Sequence, residues 1–443
     1  MTNKKKNVML ISMPVNRGMG TTIDKYIPPM GLMFLSASLE LNGYSSKVID
    51  LAVQPLSNQE LIDLINLESP IFVGITTYTA NFNTILNLVK IIKLNCSNIS
   101  IVLGGPHVSL IPEDGMRSQY VDFLVIREGE ATIVELAESI STNQSAIAYS
   151  NIMGLCYRSG SSSNKNKPRV PVRDLNILPI VKRDFVQNNI ENKQIGIVTS
   201  RGCPGRCLYC AATVLSGAIY RTRDINSVFM EIVQLKSIFH KNFSILFLDD
   251  TFTIVPERVL SFVELIDLYS MDLKWWCGSR IDAMNEEIVT KMANSGCLGI
   301  TYGIESGNQD VLNKIHKKIA LSLAREIIGY TKNAGMRVSL NFMFGHFCDT
   351  KESMHDTLSF IKQMFFMYKA NIIFSYNTPF PGTWQYQKKE ELDITMPHDY
   401  DQLIVTEPRI ETPNFTILDQ LEIGLKAIRF LNKYDYPYDA SVE

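Results

Sequence analysis

Short apolar runs alternate with amphipathic segments along the first 141 residues. Five runs have the length and near-continuous apolar character of strands buried on both faces: 7–12, 46–51, 70–76, 100–105 and 121–126. Apolar residues at helical spacing follow each run, at 30–43, 58–67, 82–95, 112–119 and 130–141. Five strands, each followed by a helix, predict a parallel, doubly wound α/β sheet.

A second series of the same kind begins near residue 195. Its apolar runs lie at 195–200, 244–250, 273–280, 298–306, 337–345 and 371–378. Helical patterns lie between and after these runs, at 224–239, 256–269, 285–295, 308–314, 321–334 and 351–367. Strand signals that recur about every 25–40 residues predict six parallel strands with helices between them, which is an incomplete β/α barrel.

A polar stretch separates the two series. Residues 158–175 are rich in Ser, Asn and Lys and carry two prolines, which is typical of a linker or a surface hairpin. We therefore predict a first domain at 1–145, a linker at 146–190, a barrel at 191–385 and a C-terminal segment at 386–443. The last segment is irregular apart from one helical pattern, and we expect it to cover the barrel opening.

Composition narrows the class of protein. The net charge of −2 argues against a general nucleic-acid binder, which would be clearly basic. No apolar run reaches the roughly 18 residues that a membrane-spanning helix needs, and the N-terminal residues lack the pattern of a signal peptide. Only three of the eight cysteines cluster, which favours a metal or redox site in the reducing cytoplasm over a disulfide framework.

The clustered cysteines lie in SRGCPGRCLYC, directly after the first strand signal of the barrel. Cys203, Cys207 and Cys210 are spaced so that one loop can wrap three thiolates round a metal centre, and Gly202 and Gly205 permit the tight turns. A cubane iron–sulfur cluster normally takes four cysteines. With three ligands, one iron keeps an open position that can bind a substrate.

Two other interpretations of these cysteines remain open on the residues alone. A zinc ion could take Cys277 or Cys297 as its fourth ligand, although zinc ligands usually pair as CxxC. A purely structural zinc or iron–sulfur module would use the same three thiols. Either interpretation predicts that loss of Cys203 makes the protein less stable without removing an activity.

The spacing CxxxCxxC after the first strand of a β/α barrel resembles the radical SAM superfamily. FLDDTFT (247–253), WCGSRID (276–282), GCLGITYGIESGNQDVL (296–312) and TPFPGT (378–383) are similar to segments of that superfamily in the same order. The resemblance implies a 4Fe–4S cluster held by the three cysteines. It also implies that the open iron binds the amine and carboxylate of S-adenosylmethionine (SAM), whose reductive cleavage gives a 5′-deoxyadenosyl radical.

The same resemblance, together with position at strand ends, suggests which residues contact SAM. Tyr209 is expected near the adenine. The carboxylates of Asp249 and Asp250 are expected to accept from the amino group, and Arg280 to bind the carboxylate. Glu305 and Ser306 are expected to meet the ribose hydroxyls. Strand-end acids also cap helices, and Arg280 could instead pair with Asp250, so these roles have structural alternatives.

The first domain also resembles a known type. IPPMGLMFLSASLELNGY, GITTYT, LGGPHVSLIPED and DFLVIREGE are similar to the flavodoxin-like, cobalamin-binding domain that precedes a subgroup of radical SAM barrels. The resemblance implies cobalamin contacts by residues in the strand-end loops: Thr76, Thr77, Tyr78, Gly104, Gly105, Pro106, His107, Glu128 and Gly129. The residues after the first strand, MPVNRGMG, contain no histidine. Bound cobalamin is therefore expected to lack a histidine ligand from this loop, with its nucleotide tail inserted in the sheet.

These resemblances imply a cobalamin-dependent radical SAM enzyme that methylates an unactivated carbon of a natural-product, lipid or peptide intermediate through a 5′-deoxyadenosyl radical and methylcobalamin. Alternatives are rearrangement, cyclisation or ring contraction without methyl transfer, and a radical SAM enzyme that has lost cobalamin. The expected cofactors are a 4Fe–4S cluster, SAM and cobalamin. The expected partners are a small-molecule or peptide substrate and an electron donor such as flavodoxin or ferredoxin.

Overall fold

Two largely parallel sheets form the framework of the chain. The structure, a computed structural model, describes residues 6–15, 28–142, 146–182, 193–239 and 243–434. The strands are β1 (Asn7–Ser12), β2 (Ser45–Asp50), β3 (Phe72–Thr76), β4 (Ser100–Gly104), β5 (Phe123–Val125), β6 (Leu155–Ser159), β7 (Ser162–Lys165), β8 (Lys193–Ile197), β9 (Ser200–Arg201), β10 (Arg221–Thr222), β11 (Phe243–Phe247), β12 (Trp275–Ser279), β13 (Cys297–Glu305), β14 (Arg337–Phe344) and β15 (Asn371–Tyr376).

Helices connect most of these strands. In the first half they are α1 (Met30–Leu41), α2 (Asn58–Glu68), α3 (Phe82–Asn95), α4 (Pro106–Leu110), α5 (Pro112–Arg117), α6 (Glu130–Ser141) and α7 (Ala146–Tyr149). In the second half they are α8 (Ala212–Leu215), α9 (Ile225–Phe239), α10 (Pro256–Leu268), α11 (Glu286–Asn294), α12 (Gln309–Lys314), α13 (Leu321–Asn333), α14 (Lys351–Tyr368), α15 (Trp384–Gln387) and α16 (Ile417–Lys433). No helix of the described residues is both long enough and apolar enough to cross a membrane.

The first sheet has the strand order β2-β1-β3-β4-β5, with all five strands parallel. Successive apolar residues along each strand point to opposite faces of the sheet. Leu10 and Val102 pack with α1 and α6, whereas Ile11 and Leu103 pack with α2 and α3. The predicted doubly wound sheet is confirmed, and the order places β1 between β2 and β3 at the expected switch point.

A hairpin extends this sheet beyond residue 145. Strand β6 pairs antiparallel with β5, and β7 pairs antiparallel with β6. Leu155 and Cys156 are buried in the core of the sheet, which gives an apolar reason for the pairing. Part of the segment predicted as a linker at 146–190 is therefore an edge of the first sheet, and its polar residues lie on the exposed strand β7.

The second sheet contains six parallel strands in the order β8-β11-β12-β13-β14-β15. Its helices pack on one face over a core that includes Trp275, which contacts the rings of Phe247 and Phe262. The six strands are those predicted, and the incomplete barrel is confirmed. Parallel pairing brings all the strand-end loops to one edge of the sheet, the carboxyl edge.

Side-chain caps determine where several helices begin. The Asn285 side chain accepts from the amide of Ile288 at the start of α11, and Asn308 accepts from Val311 at the start of α12. Thr350 and Thr416 form capping boxes at the starts of α14 and α16. Such caps satisfy backbone donors that the helix itself leaves unpaired, and each contributes about 1 kcal/mol.

Residues 399–405, here called the strap, join the barrel to the first domain. At one end, the Val405 carbonyl accepts from the amide of Tyr376 at 2.7 Å. At the other, the Asp401 carboxylate accepts from the amides of Asn83 and Thr84 at 2.8 and 2.9 Å. These amides belong to the first turn of α3, where a helix favours negative charge.

Candidate functional site

The three clustered cysteines lie on one loop at the carboxyl edge of the second sheet. The loop leaves β9 at Gly202 and enters α8 at Ala212. Gly202 has φ +91°, and a Cβ there would lie 2.3 Å from the carbonyl oxygen of Ile219. A side chain at this position would therefore collide with backbone. The three thiols are all partly exposed on this loop.

The arrangement of the thiols does not suit one metal ion. Among the described residues, no three His, Cys, Asp or Glu side chains are placed to hold a single ion. In a cubane cluster each thiolate binds a different iron, so the three sulfurs must stand apart. Cys277 and Cys297, the proposed fourth zinc ligands, are instead buried in the core between sheet and helices, where the Cys297 thiol donates to the Gly299 carbonyl at 3.6 Å. The zinc alternative does not fit this placement.

Partial burial affects the protonation of one of the three thiols. Burial raises the pKa of Cys210 to about 11. The Cys210 thiol is therefore protonated at neutral pH when it holds no metal. Cluster assembly has to displace this proton, because the thiolate is the ligand.

The two aspartates after β11 have different environments. The Asp249 carboxylate is buried and accepts from the amides of Thr199 and Ser200 at 2.6 and 3.0 Å, and from the Thr199 hydroxyl. Asp249 thus fixes the turn between β8 and β9, and its oxygens face that turn instead of a ligand. Asp250 is exposed as a residue, and the partial burial of its carboxylate, followed by the charge of Asp249, raises its pKa. Of the two, Asp250 keeps the predicted SAM role.

Arg280 lies against the cysteine loop. Its guanidinium binds Asp282 through two parallel bonds of 2.8 Å and donates to the Lys317 carbonyl at 2.9 Å. The Cys207 sulfur lies 3.8 Å from its third nitrogen. The pair with Asp250 considered from the sequence is therefore wrong, since the partner is Asp282. Burial alone would lower the pKa of Arg280, but the pairing with Asp282 raises it.

Glu305 is the last residue of β13 and Ser306 follows it, and the two side chains point in different directions. Glu305 has φ +75° and pairs with Lys317 at 3.0 Å in a largely buried site. Ser306 is fully buried, lies 3.1 Å from the Thr357 hydroxyl and accepts from the amide of Asn308. A ribose contact by Ser306 does not fit this placement, because the helix layer surrounds its hydroxyl. Glu305 remains a candidate for the ribose contact, and its ion pair with Lys317 fixes the position of its carboxylate.

Tyr209 packs against a histidine that the sequence analysis missed. The rings of Tyr209 and His346 meet edge to face, with centroids 5.3 Å apart. His346 is fully buried directly after β14, and burial lowers its pKa. The position of His346 after a predicted barrel strand could have identified it as a candidate from the sequence. The adenine role of Tyr209 stays a prediction.

A cavity of about 370 Å³ lies between the two sheets. One side is formed by the carboxyl ends of β3, β4 and β5 and by α1 and α6. The other side is formed by Ser200 and Arg201 of β9, by Leu215 and Ser216 near α8, and by Asp250. The cavity continues between the first sheet and α1, where Leu10, Gly31 and Gly74 line it. The two carboxyl edges therefore open onto one shared space.

Most of the residues predicted to contact cobalamin line this cavity. They are Thr76, Gly104, Gly105, Pro106, Glu128 and Gly129. Gly105 has φ +96°, and a Cβ there would lie 2.6 Å from the Thr76 hydroxyl, so the turn needs glycine. Two buried lining atoms, Glu130 Oε2 and Ser200 Oγ, have no hydrogen-bond partner among the described residues.

The other three predicted residues do not line the cavity. Thr77 is buried and donates to the Gly104 carbonyl at 2.8 Å, which joins two strand-end loops. Tyr78 is 40% exposed. His107 is fully buried between Phe82 and Tyr400, with centroid distances of 3.9 and 4.7 Å, and burial lowers its pKa to about 4. The expectation that His107 lies beside the corrin is therefore not met, because its ring packs against α3 and the strap.

Comparison with known proteins assigns both halves of this site. Residues 16–137 match the B12 binding domain family, and residues 197–361 match the radical SAM superfamily. Together the two matches cover more than half of the chain. The chain belongs to the cobalamin-binding radical SAM enzymes. The predicted cofactors, a 4Fe–4S cluster, SAM and cobalamin, are those of this family.

Individual relatives and structures agree with this family. An uncharacterized methyltransferase of Pyrococcus horikoshii is 29% identical over 93% of this chain and 89% of its own length. An anaerobic magnesium-protoporphyrin IX monomethyl ester cyclase of Cereibacter sphaeroides is 23% identical over 83% of this chain and 61% of its own. The radical SAM methyltransferase TsrM of Kitasatospora setae superposes with a TM-score of 0.70 at 17% identity, over 87% of this chain and 76% of its own. That likeness supports the fold.

The residues present fit these cofactors. The three thiols lie partly exposed on one glycine-bent loop, where each would bind a different iron of a cluster with one open iron. The cavity beside the first sheet is mainly apolar, with unpaired buried oxygens that the amide side chains of a corrin can satisfy. The part of the cavity lined by Gly31 and Gly74, here called the slot, would hold the nucleotide tail of cobalamin.

The cluster assignment predicts that replacing a cysteine of the loop removes the bound cluster, whereas replacing a cysteine of the core does not. Cys203→Ala should lose most of the bound iron and sulfide and all SAM cleavage, because one iron loses its protein ligand. Cys297→Ala, the matched control in the core, should keep the cluster although it destabilises the fold. Iron and sulfide analysis after anaerobic reconstitution measures both. Equal loss of iron in the two variants would contradict the assignment.

The cavity predicts how a side chain at residue 31 affects cobalamin. A Cβ at Gly31 meets nothing within 4 Å, so Gly31→Leu should fold normally. Its larger side chain should occupy the slot and reduce retained corrin by about tenfold, since bound ligand and side chain cannot overlap. Gly31→Ala serves as the graded control with near-normal binding. Absorption spectra of the purified proteins give the corrin content. Normal corrin content in Gly31→Leu would place the cofactor elsewhere.

Proposed function

We propose that this radical SAM enzyme transfers a methyl group to an unactivated carbon of its substrate. The observation that supports it is the shared cavity, onto which the loops predicted to bind cobalamin and the residues flanking the cysteine loop both open. When bound, the cluster and SAM supply a radical that removes a hydrogen atom, and cobalamin supplies the methyl group. A substrate between the two sites is within reach of both.

The protein's own residues bind, orient and exclude water in this proposal. Asp250 offers an exposed carboxylate at the cavity wall to the amino group of SAM. Glu305 is held by Lys317 with an oxygen available for the ribose. Arg280, already bound to Asp282, supports the loop beside Cys207 and keeps that loop in shape.

A second candidate function is cyclisation without methyl transfer. It is favoured by the relative from Cereibacter sphaeroides, whose description is that of a cyclase. Both functions use the same cofactors and begin with the same removal of hydrogen. They differ in whether a carbon from SAM enters the product.

Product analysis distinguishes these functions. With a deuterated methyl group on SAM, a chemical reductant and candidate substrates, we expect a product that gains the labelled methyl group. S-adenosylhomocysteine and 5′-deoxyadenosine should each form in about one equivalent per product, because one SAM gives methyl and another gives the radical. Cys203→Ala is the inactive control. A changed substrate without label would support cyclisation and contradict methyl transfer.

We further propose that an acidic electron-transfer protein, such as flavodoxin, docks beside the cysteine loop in the cytoplasm. A second cavity of about 450 Å³ borders the loop and is lined by Pro204, Arg206 and Lys318. Arg206 and Lys318 are exposed, have φ of +51° and +56°, and form no ion pair with a described residue. Unpaired cations in strained backbone near a redox centre favour an acidic partner.

Charge reversal tests this docking surface. With reduced flavodoxin at low salt, the double variant Arg206→Glu and Lys318→Glu should cleave SAM about tenfold more slowly, because electrostatic attraction is replaced by repulsion. With dithionite the rate should stay normal. Lys332→Glu, at the opposite edge of the sheet, is the control. A normal flavodoxin rate in the double variant would rule out this surface, and a loss with dithionite would point to damage of the cluster.

A further inference from the structure

Two arginines face each other on the short hairpin that carries the cysteine loop. Arg201 of β9 pairs directly with Arg221 of β10, and Gly202 and Cys203 follow Arg201 immediately. Like charges directly opposite in an antiparallel pair destabilise it. The hairpin therefore depends on negative charge from elsewhere.

The first domain supplies that charge from the loop after β5. Glu128 accepts two hydrogen bonds from the Arg221 guanidinium, of 2.6 and 3.0 Å, which form a bidentate ion pair. Glu130 accepts from Arg201 at 2.5 Å, and Glu128 lies 3.7 Å from the same guanidinium. We call these four residues the interdomain charge cluster. Its two positive and two negative charges balance.

The interdomain charge cluster is buried, which makes its pairing strong and its loss damaging. Its side chains are between 7% and 15% exposed. Burial alone would raise the pKa of Glu128, but the bonds from Arg221 more than offset this and lower it. Removal of one partner leaves an uncompensated buried charge.

The segment between the two domains also contacts this cluster. The amide of Val172 donates to Glu128 at 2.8 Å, and the Val172 carbonyl accepts from Arg221 at 2.6 Å. The Ser216 carbonyl, near α8 and beyond the three cysteines, accepts from Arg221 at 3.1 Å. Both ends of the cysteine loop are therefore attached to the loop after β5.

The same residues form the wall of the shared cavity. Glu128, Gly129, Glu130, Ser200, Arg201 and Ser216 all line it. A displacement of the hairpin would move the cysteines relative to the corrin site. Reactions between two bound groups lose rate when their positions shift by about 1 Å.

We propose that the interdomain charge cluster is a positioning device that fixes the distance between the iron–sulfur cluster and cobalamin. This rests on the assignment of both cofactors, and it extends the proposed function because a fixed distance couples hydrogen removal to the second step. Glu128 and Arg221 act through the hairpin as positioning residues, since they do not touch the reacting atoms.

The distance between the two metal centres tests the proposal. The enzyme loaded with both cofactors is prepared with a reduced cluster and cob(II)alamin, which are both paramagnetic, and pulsed EPR measures their separation. Glu128→Gln keeps the shape of the side chain and removes its charge. We expect a broadened or shifted distance distribution in the molecules that hold both cofactors. Glu135→Gln, which removes the carboxylate bound to Arg169 in the same domain, is the matched control and should keep the wild-type distribution.

A charge swap protects the test against simple misfolding. Glu128→Arg combined with Arg221→Glu restores opposite charges but not the bonds to the Val172 and Ser216 backbone, so it should narrow the distribution part of the way, whereas either single change should not. Thermal unfolding establishes that each variant is folded. A wild-type distribution in folded Glu128→Gln, or a swap that folds with a distribution no narrower than that of the single variants, would overturn the proposal. The readout is independent of methyl transfer, so failure of the proposed reaction is distinguished by product analysis alone.

Discussion

Parallel pairing in two sheets, with their carboxyl edges facing one another, is the constraint on which the site depends. In a parallel sheet, the loops that lead from the strands into the following helices all lie at the same edge. The first sheet therefore collects Thr76, Gly105 and Glu128 at one place, and the second collects the cysteine loop and Asp250. Buried ion pairs across the junction hold the two edges together. The shared cavity follows from this opposition.

Charges near the cysteine loop are mostly paired before any ligand binds. Arg280 is bound by Asp282, Lys317 by Glu305, and Asp249 by backbone amides of the β8–β9 turn. The physical reason is that an unpaired charge in a poorly solvated site carries a large desolvation penalty. Such pairing gives the loop a defined conformation before the cofactors bind. It leaves Asp250 as the exposed carboxylate at the cavity wall.

The strap provides a second connection between the domains, on the side of α3. Asp401 caps α3, and the Tyr400 hydroxyl donates to Asp114 at 2.6 Å. Tyr400 also covers His107. The barrel is thus tied to the first domain through the hairpin on one side and through the strap on the other. Two connections resist relative rotation of the domains better than one.

The sequence by itself determined the parallel strands of both sheets, most of the helices, the doubly wound sheet, the incomplete barrel and the family. The spacing of apolar residues along the chain indicates which face of an element is buried. Three closely spaced cysteines indicate a cluster site because all of its protein ligands lie in one short segment. The tertiary structure decided which strand-end side chains face the site. Ser306 and His107 occupy the predicted loops but turn into the helix layer and toward the strap. It also decided the pairing of Arg201 with Glu130, 71 residues away, and of Tyr400 with Asp114, 286 residues away. Position along a strand predicts the edge where a residue lies. The direction of its side chain depends on partners that only the folded chain brings near.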